Sequence, residues 1–184
     1  MRRSRTPRCG IFSWQAHERR TAAPKARIPP WGDGPQGQGG GMSEASNAAL
    51  LAQGRAVLEQ QPFSRLLGTQ LNAWAPGRAE LELALRTELL QQNGFAHGGV
   101  VSYLADNALA YAGGSALGFA VVTSEFKINY VRPAIGERLI ARAEAVSVSK
   151  MQVVCRCDVF VRRGGEDKLC AVAQGTIARS SVER

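Results

Sequence analysis

The sequence predicts an α+β fold, one antiparallel sheet wrapped around a single long central helix. Three observations carry that expectation. Residues 98 to about 117 form an apolar segment of helical length, with Val100, Val101, Leu104, Ala105, Ala108, Leu109 and Ala112 recurring at helical spacing. The other positions of that segment are mostly Ala, Gly and Ser, so it is apolar or small nearly all round, the character of a buried helix. Two strand-like segments precede it and four follow, joined by tight turns.

Each element has its own justification. Residues 42–60 open with Ser43 and Glu44 and continue as an Ala/Leu-rich helical pattern that Pro62 ends. Residues 63–67 make a short helical turn. Residues 68–74 and 78–85 read as two strands joined at Pro76-Gly77. In the second, Glu80 and Glu82 alternate with Leu81, Leu83 and Leu85, giving one wet and one dry face. Residues 87–96 read as loop. After the helix, residues 120–130, 138–149, 151–162 and 168–178 read as four meandering strands, with turns at Pro133-Ala134-Ile135-Gly136 and Arg163-Gly164-Gly165.

The chain suits one domain with a real core, residues 42–184, behind an Arg/Gly/Pro-rich leader, residues 1–41, expected to be disordered. The formal net charge of +8 suggests a nucleic-acid partner, but its distribution does not. Residues 1–41 hold eight Lys and Arg against two acids, a net of six positive charges; from Met42 onward fifteen face thirteen, a net of two. The excess belongs to the leader, so no nucleic-acid role is expected of the domain. The Arg-rich start resembles a transit segment, but Pro29-Pro30 and Gly39-Gly40-Gly41 oppose an amphipathic helix there. The preferred reading is an upstream start, with Met42 as the natural beginning.

Cys9, Cys155, Cys157 and Cys170 contain no CxxC pair, and His17 and His97 are the two histidines, so a zinc site is not expected. The cysteines read as reduced thiols of a cytoplasmic protein. No apolar run is uninterrupted enough to span a bilayer, because Asp106 and Asn107 break the central helix.

Two features are out of place in a buried helix: the paired glycines Gly98-Gly99 at its start and the acid Asp106 two turns in. A helix N-terminus presents unpaired N–H groups and the positive end of the macrodipole. Glycine there leaves room for a ligand against the backbone. The Gly98 N–H thus suits a carbonyl oxygen, held more tightly as it becomes an oxyanion. A carboxylate in an apolar setting can activate water or attack directly. The residue types alone equally allow a tight turn followed by a structural acid.

The run Gln91-Gln92-Asn93-Gly94-Phe95-Ala96-His97-Gly98-Gly99-Val100-Val101-Ser102-Tyr103-Leu104-Ala105-Asp106 resembles the signature of the PaaI-like hotdog-fold acyl-CoA thioesterases. The segment Val122-Thr123-Ser124-Glu125-Phe126-Lys127-Ile128-Asn129-Tyr130-Val131-Arg132-Pro133-Ala134 is similar to that family's strand after the helix, and Pro62 to Gly68 matches more weakly. The resemblance, over about residues 50–178, implies the hotdog fold and acyl-CoA thioester hydrolysis without a cofactor. It implies Asp106 as general base or nucleophile and Gly98 as the N–H donor to the thioester carbonyl. His97 would order the loop, with a purely loop-tying role left open. Gln91 would sit near the reacting group with Asn93 its competitor, Gly99 beside the substrate, and Thr123 against the attacking water unless it is an ordinary strand threonine. The family's hydroxyl residue one turn after the acid is Ala110 here. The resemblance also implies a homodimer, alone or paired as a dimer of dimers, with His97 and Gly98 from one subunit facing Asp106 of the other. Lys127, Arg132, Arg138 and Lys150 are candidates for the CoA phosphates, ordinary surface charge being the simpler reading. Phe95, Tyr103 and Phe119 are candidates for the acyl pocket. A hotdog hydratase would pair its acid with a later histidine, and none follows Asp106. A non-catalytic acyl-CoA-binding protein is the other alternative.

Overall fold

The computed structural model describes residues 44–118 and 120–180. The leader, Cys9 and Phe119 lie outside the described residues. Helices α1 (Glu44–Glu59) and α2 (Pro62–Leu67) come first, followed by strands β1 (Gln70–Ala75) and β2 (Arg78–Ala84). Helix α3 (Gly98–Leu117) then precedes β3 (Val121–Tyr130), β4 (Arg138–Val148), β5 (Gln152–Arg163) and β6 (Glu166–Arg179). Pro62 fits the first turn of α2, where its missing N–H goes unmissed, and Gly68 ends that helix at φ 76°, a left-handed geometry glycine adopts without strain.

The six strands form one antiparallel sheet in the order β1-β2-β4-β5-β6-β3. Helix α3 packs against all six strands, so the sheet does wrap around one helix, the hotdog arrangement. Leu104, Ala105, Ala108, Leu109 and Ala112 on the helix meet Leu81, Leu83, Leu139, Val153, Val159 and Ile177 on the sheet, all buried. The small residues let the helix approach closely. Trp74 Nε1 donates to the Tyr111 carbonyl at 2.8 Å, and Tyr111 Oη donates to the Gly54 carbonyl at 3.1 Å. These bonds stitch α1, β1 and α3 together.

Three details differ from the sequence expectation. The last four strands do not meander. β3 pairs with β6 at the far edge, and β4 pairs with β2. The connection after β3 is a crossing rather than a hairpin turn: Val131 and Arg132 N–H donate to the Cys170 carbonyl, and Glu137 N–H donates to that of Arg162. Gly136 permits it, since a Cβ there would lie 2.3 Å from the Arg162 carbonyl oxygen. Second, the 87–96 loop holds a 3-10 turn at Thr87–Leu89 and a bridge between Leu90 and Ala96. Third, the wet face of β2 is covered. Glu82 is 8 % exposed and paired with Arg138 and Asn72, while Glu80 pairs with Arg142.

Candidate active site at the start of the central helix

The residues before α3 are tied down by their own backbone. Gln91 N–H donates to the Phe95 carbonyl at 2.9 Å, and Gly94, at φ 79°, turns the chain back on Gln91. Ala96 N–H donates to Ala134 and His97 N–H to Leu89, fixing the entry to the helix against two neighbouring segments. Gln91 is half-buried at the base of this turn and Asn93 is exposed at its tip.

His97 caps the helix, an unusual residue where Ser, Thr, Asp and Asn lead. Its Nδ1 accepts the Gly99 N–H at 3.0 Å, so in the neutral ring the proton is assigned to Nε2. The His97 carbonyl accepts Val100 N–H at 2.9 Å and Val101 N–H at 3.3 Å. Of the four orphan donors of the first turn, three are therefore taken. The fourth, Gly98 N–H, has no acceptor among the described residues. A Cβ at Gly98 would stand 3.5 Å from Tyr130 Oη, an ordinary contact, so Tyr130 lies beside this glycine.

Asp106 is half-buried two turns into α3. Among the described residues, its Oδ1 is the buried side-chain oxygen or nitrogen without a hydrogen-bond partner. An unpaired buried acceptor costs about 1–3 kcal/mol, more when charged, and native proteins seldom keep one without a role. Thr123 is half-buried on β3, opposite Ile177 of β6. No hydrogen bond joins it to Asp106 among the described residues.

One chain does not bring these groups together. Gly98 and Asp106 lie eight residues apart on one helix, about 12 Å along its axis and about 80° round it. A single carbonyl cannot meet both. Arg138 and Arg132 are engaged, by Glu82 and by the Leu169 carbonyl.

A groove of about 1240 Å³ flanks the Asp106 turn. Its walls include Val57, Phe63 and Ser64, then Tyr103, Asn107, Ala110 and Gly114 on α3, and Val121 and Val122 on β3. Asp106 itself is not a wall residue, and neither is Phe95. Tyr103 Oη donates to Ser64 Oγ at 2.7 Å and accepts from Asn107 Nδ2 at 3.0 Å. Sequence reasoning missed this network, together with the Tyr130–Ser102 pair beside Gly98. Both join residues remote in the chain, so no local pattern signals them.

Cys155, Cys157 and Cys170 are buried free thiols. Burial pushes Cys155 up to about 12 and Cys170 up to about 11, and Cys157 further still. None is a nucleophile at neutral pH. No three His, Cys, Asp or Glu side chains among the described residues cluster to hold a metal ion, and no described helix is long and apolar enough to cross a membrane.

Comparisons with known proteins place this geometry among relatives. The sequence profile of the thioesterase superfamily matches residues 93–168, from the loop before α3 into β6. A Silicibacter pomeroyi thioesterase family protein of known structure is 34% identical, with a TM-score of 0.66 over 72% of this chain and 96% of that one. The Escherichia coli PaaI protein, from the phenylacetic acid degradation operon, is 26% identical with a TM-score of 0.65, covering 76% of this chain and 97% of that one. A Deinococcus radiodurans protein provisionally named an esterase is 32% identical over 66% of this chain and 81% of its own length.

Proposed function

The chain belongs to the thioesterase superfamily, and on that premise we propose that it is an acyl-CoA thioesterase acting as a homodimer. Each of its two sites combines the start of α3 from one subunit with Asp106 of the other. One observation carries this reading: the orphaned Oδ1 of Asp106 on the same helix as the open Gly98 N–H, too far apart to serve one thioester within one chain.

The edge of the sheet supports the assembly. β3 ends the strand order, so one side of its backbone is unpaired, and Val122, Tyr130 and Val131 beside it are 51%, 53% and 53% exposed. An unpaired edge ten residues long, with exposed apolar side chains near both its ends, is a template for another strand. Pairing with the β3 of a second copy closes it with two-fold symmetry.

In the proposed reaction the Asp106 carboxylate takes a proton from water as the water oxygen attacks the thioester carbonyl carbon. The carbonyl electron pair moves to oxygen, where the partner subunit's Gly98 N–H receives the developing charge. Collapse breaks the C–S bond, and the CoA thiolate leaves and is protonated, giving free acid and CoA. Attack by the carboxylate itself, followed by hydrolysis of the anhydride, gives the same products. His97 holds the donor turn in place, and Gly99 lets the substrate approach. Gln91, with Asn93 its competitor, is the polar neighbour of the reacting group, and Thr123 orients the water. Acyl groups of aromatic or short-to-medium aliphatic kind suit the groove walls formed by Phe63, Tyr103, Ala110 and Gly114.

Release of free thiol from benzoyl-, phenylacetyl-, butyryl-, octanoyl- and dodecanoyl-CoA tests the proposal, with Asp106→Asn run beside the natural chain. The expected result is turnover that the variant loses in kcat rather than in KM. Binding of acyl-CoA with no release by either protein overturns it in favour of an acyl-CoA-binding role.

A further inference from the structure

We propose that the Tyr130 hydroxyl is a positioning group for the carbonyl donor: through Gly98 and Ser102 it clamps the double-glycine turn that presents the open N–H. This rests on the reading of Gly98 as that donor.

Two consecutive glycines make a loose first turn. They carry no side chains to pack, and they lose more conformational freedom on folding than other residues. A donor that must meet an oxyanion has to be held in advance, because its contribution depends on not reorganising during the reaction. The turn is therefore held from outside. On one side His97 Nδ1 takes the Gly99 N–H at 3.0 Å. On the other, Tyr130 reaches over from the end of β3 and its Oη donates to the Gly98 carbonyl at 3.0 Å. Ser102 Oγ, one turn further along α3, lies 2.6 Å from the same hydroxyl. The phenol has one proton and gives it to Gly98, so Ser102 donates to Tyr130, and the chain of donors runs from Ser102 through Tyr130 to Gly98.

Within one chain the Tyr130 ring is 53% exposed, so it is the hydroxyl's bonds, not packing inside the chain, that tie it to the turn. Its ring does stand beside the donor. Oη, Cζ and Cε1 lie 3.5, 3.6 and 3.8 Å from the place a Gly98 Cβ would occupy. The ring is thus a wall beside Gly98, and the hydroxyl is the clamp. The two roles separate by substitution: phenylalanine keeps the wall and removes the clamp, while alanine removes both.

The experiment measures kcat and KM for Tyr130→Phe, Tyr130→Ala, Ser102→Ala and the Tyr130→Phe/Ser102→Ala double variant. Amide hydrogen exchange of residues 99–102 is followed in the same proteins. Loosening a donor should cost less than the 10²-fold or more of deleting it, so Tyr130→Phe is expected to lower kcat about tenfold with KM within about twofold. Ser102→Ala should lower kcat about threefold, and the double variant should match Tyr130→Phe, because both act through one hydroxyl. Tyr130→Ala should also raise KM. Loss of one neutral hydrogen bond should speed exchange at residues 99–102 about fivefold in Tyr130→Phe and leave core amides unchanged. Unchanged kcat in Tyr130→Phe overturns the positioning role, and unchanged exchange overturns the clamp. If the natural chain hydrolyses no acyl-CoA, the thioesterase reading falls with it, while exchange still decides the clamp on its own.

Discussion

Gly113 governs how closely α3 lies on its sheet, and adding one methyl group there tests that geometry. A Cβ at Gly113 would stand 2.6, 2.7 and 2.8 Å from Cβ, Cγ1 and Cγ2 of Ile177. Carbon atoms prefer separations of about 3.5–4.0 Å, so the overlap approaches 1 Å against three atoms at once. Ile177 is fully buried in β6 and β-branched, so it has little freedom to swing aside. Overpacking of this kind costs about 1–3 kcal/mol. Alanine recovers about 1 kcal/mol of helix propensity over glycine, which leaves a net loss of about 1 kcal/mol. Urea unfolding should show that loss, and the thermal midpoint should fall by about 3 °C. In an Ile177→Ala background the clash is gone, and Gly113→Ala should instead stabilise by up to about 1 kcal/mol. A Gly113→Ala protein more stable than the natural chain, or an equal loss in both backgrounds, would refute the close-approach reasoning. Asp106 lies two turns before Gly113 on nearly the same side of α3, so lifting the helix here also shifts the carboxylate proposed to act on the thioester.

Three further outcomes follow from particular groups. In a Cys9→Ser protein, the buried, high-pKa thiols Cys155, Cys157 and Cys170 should stay silent toward a thiol reagent at pH 8 and react once denaturant unfolds the domain; fast reaction in the native state would contradict their burial. Hydrogen bonds from Arg162, then its charge and that of Arg142, hold Asp167 below the ordinary carboxylate value. A depressed folded value stabilises above the ordinary one and is lost as pH falls through it, so Asp167→Asn should cost about 1 kcal/mol at neutral pH, with the gap closing below about pH 3 to 4 in urea titrations. Gly98→Pro should delete the proposed carbonyl donor while the fold survives. Proline suits the first helical position, and His97 at ψ 137° already has the extended geometry a residue before proline adopts. Its kcat should fall by about 10²–10³, and circular dichroism should match the natural chain.

Much of this architecture was legible in the sequence because its signals are local. The helical period of residues 98–117, the alternation in β2 and the glycine turns each act over a few residues, and α3, β2 and β5 lie where those patterns put them. Strand order was not legible, because the backbone bonds of residues 131–137 that carry the chain past β6 and β5 leave no composition signal beyond a turn. Glu82 misled for a similar reason: alternation marks it as wet, while its partners Arg138 and Asn72 come from elsewhere in the chain. In the candidate site, Gly98 and Asp106 stand out as misfits in an apolar helix, and among the described residues both carry a polar group without a partner. Tyr130 did not stand out, because a tyrosine in a strand is ordinary.

The central claim is that one thioester is served by Asp106 of one subunit and Gly98 of the other. Mixing two inactive variants tests it most directly. Asp106→Asn and Gly98→Pro chains are unfolded together, refolded, and assayed for release of free thiol from the preferred acyl-CoA. Random pairing in a two-fold dimer puts half the chains in mixed dimers, and each mixed dimer has one site with both natural residues, so the mixture should recover about a quarter of the natural activity. A mixture no more active than the separate variants, although mixed dimers form, would contradict the shared site.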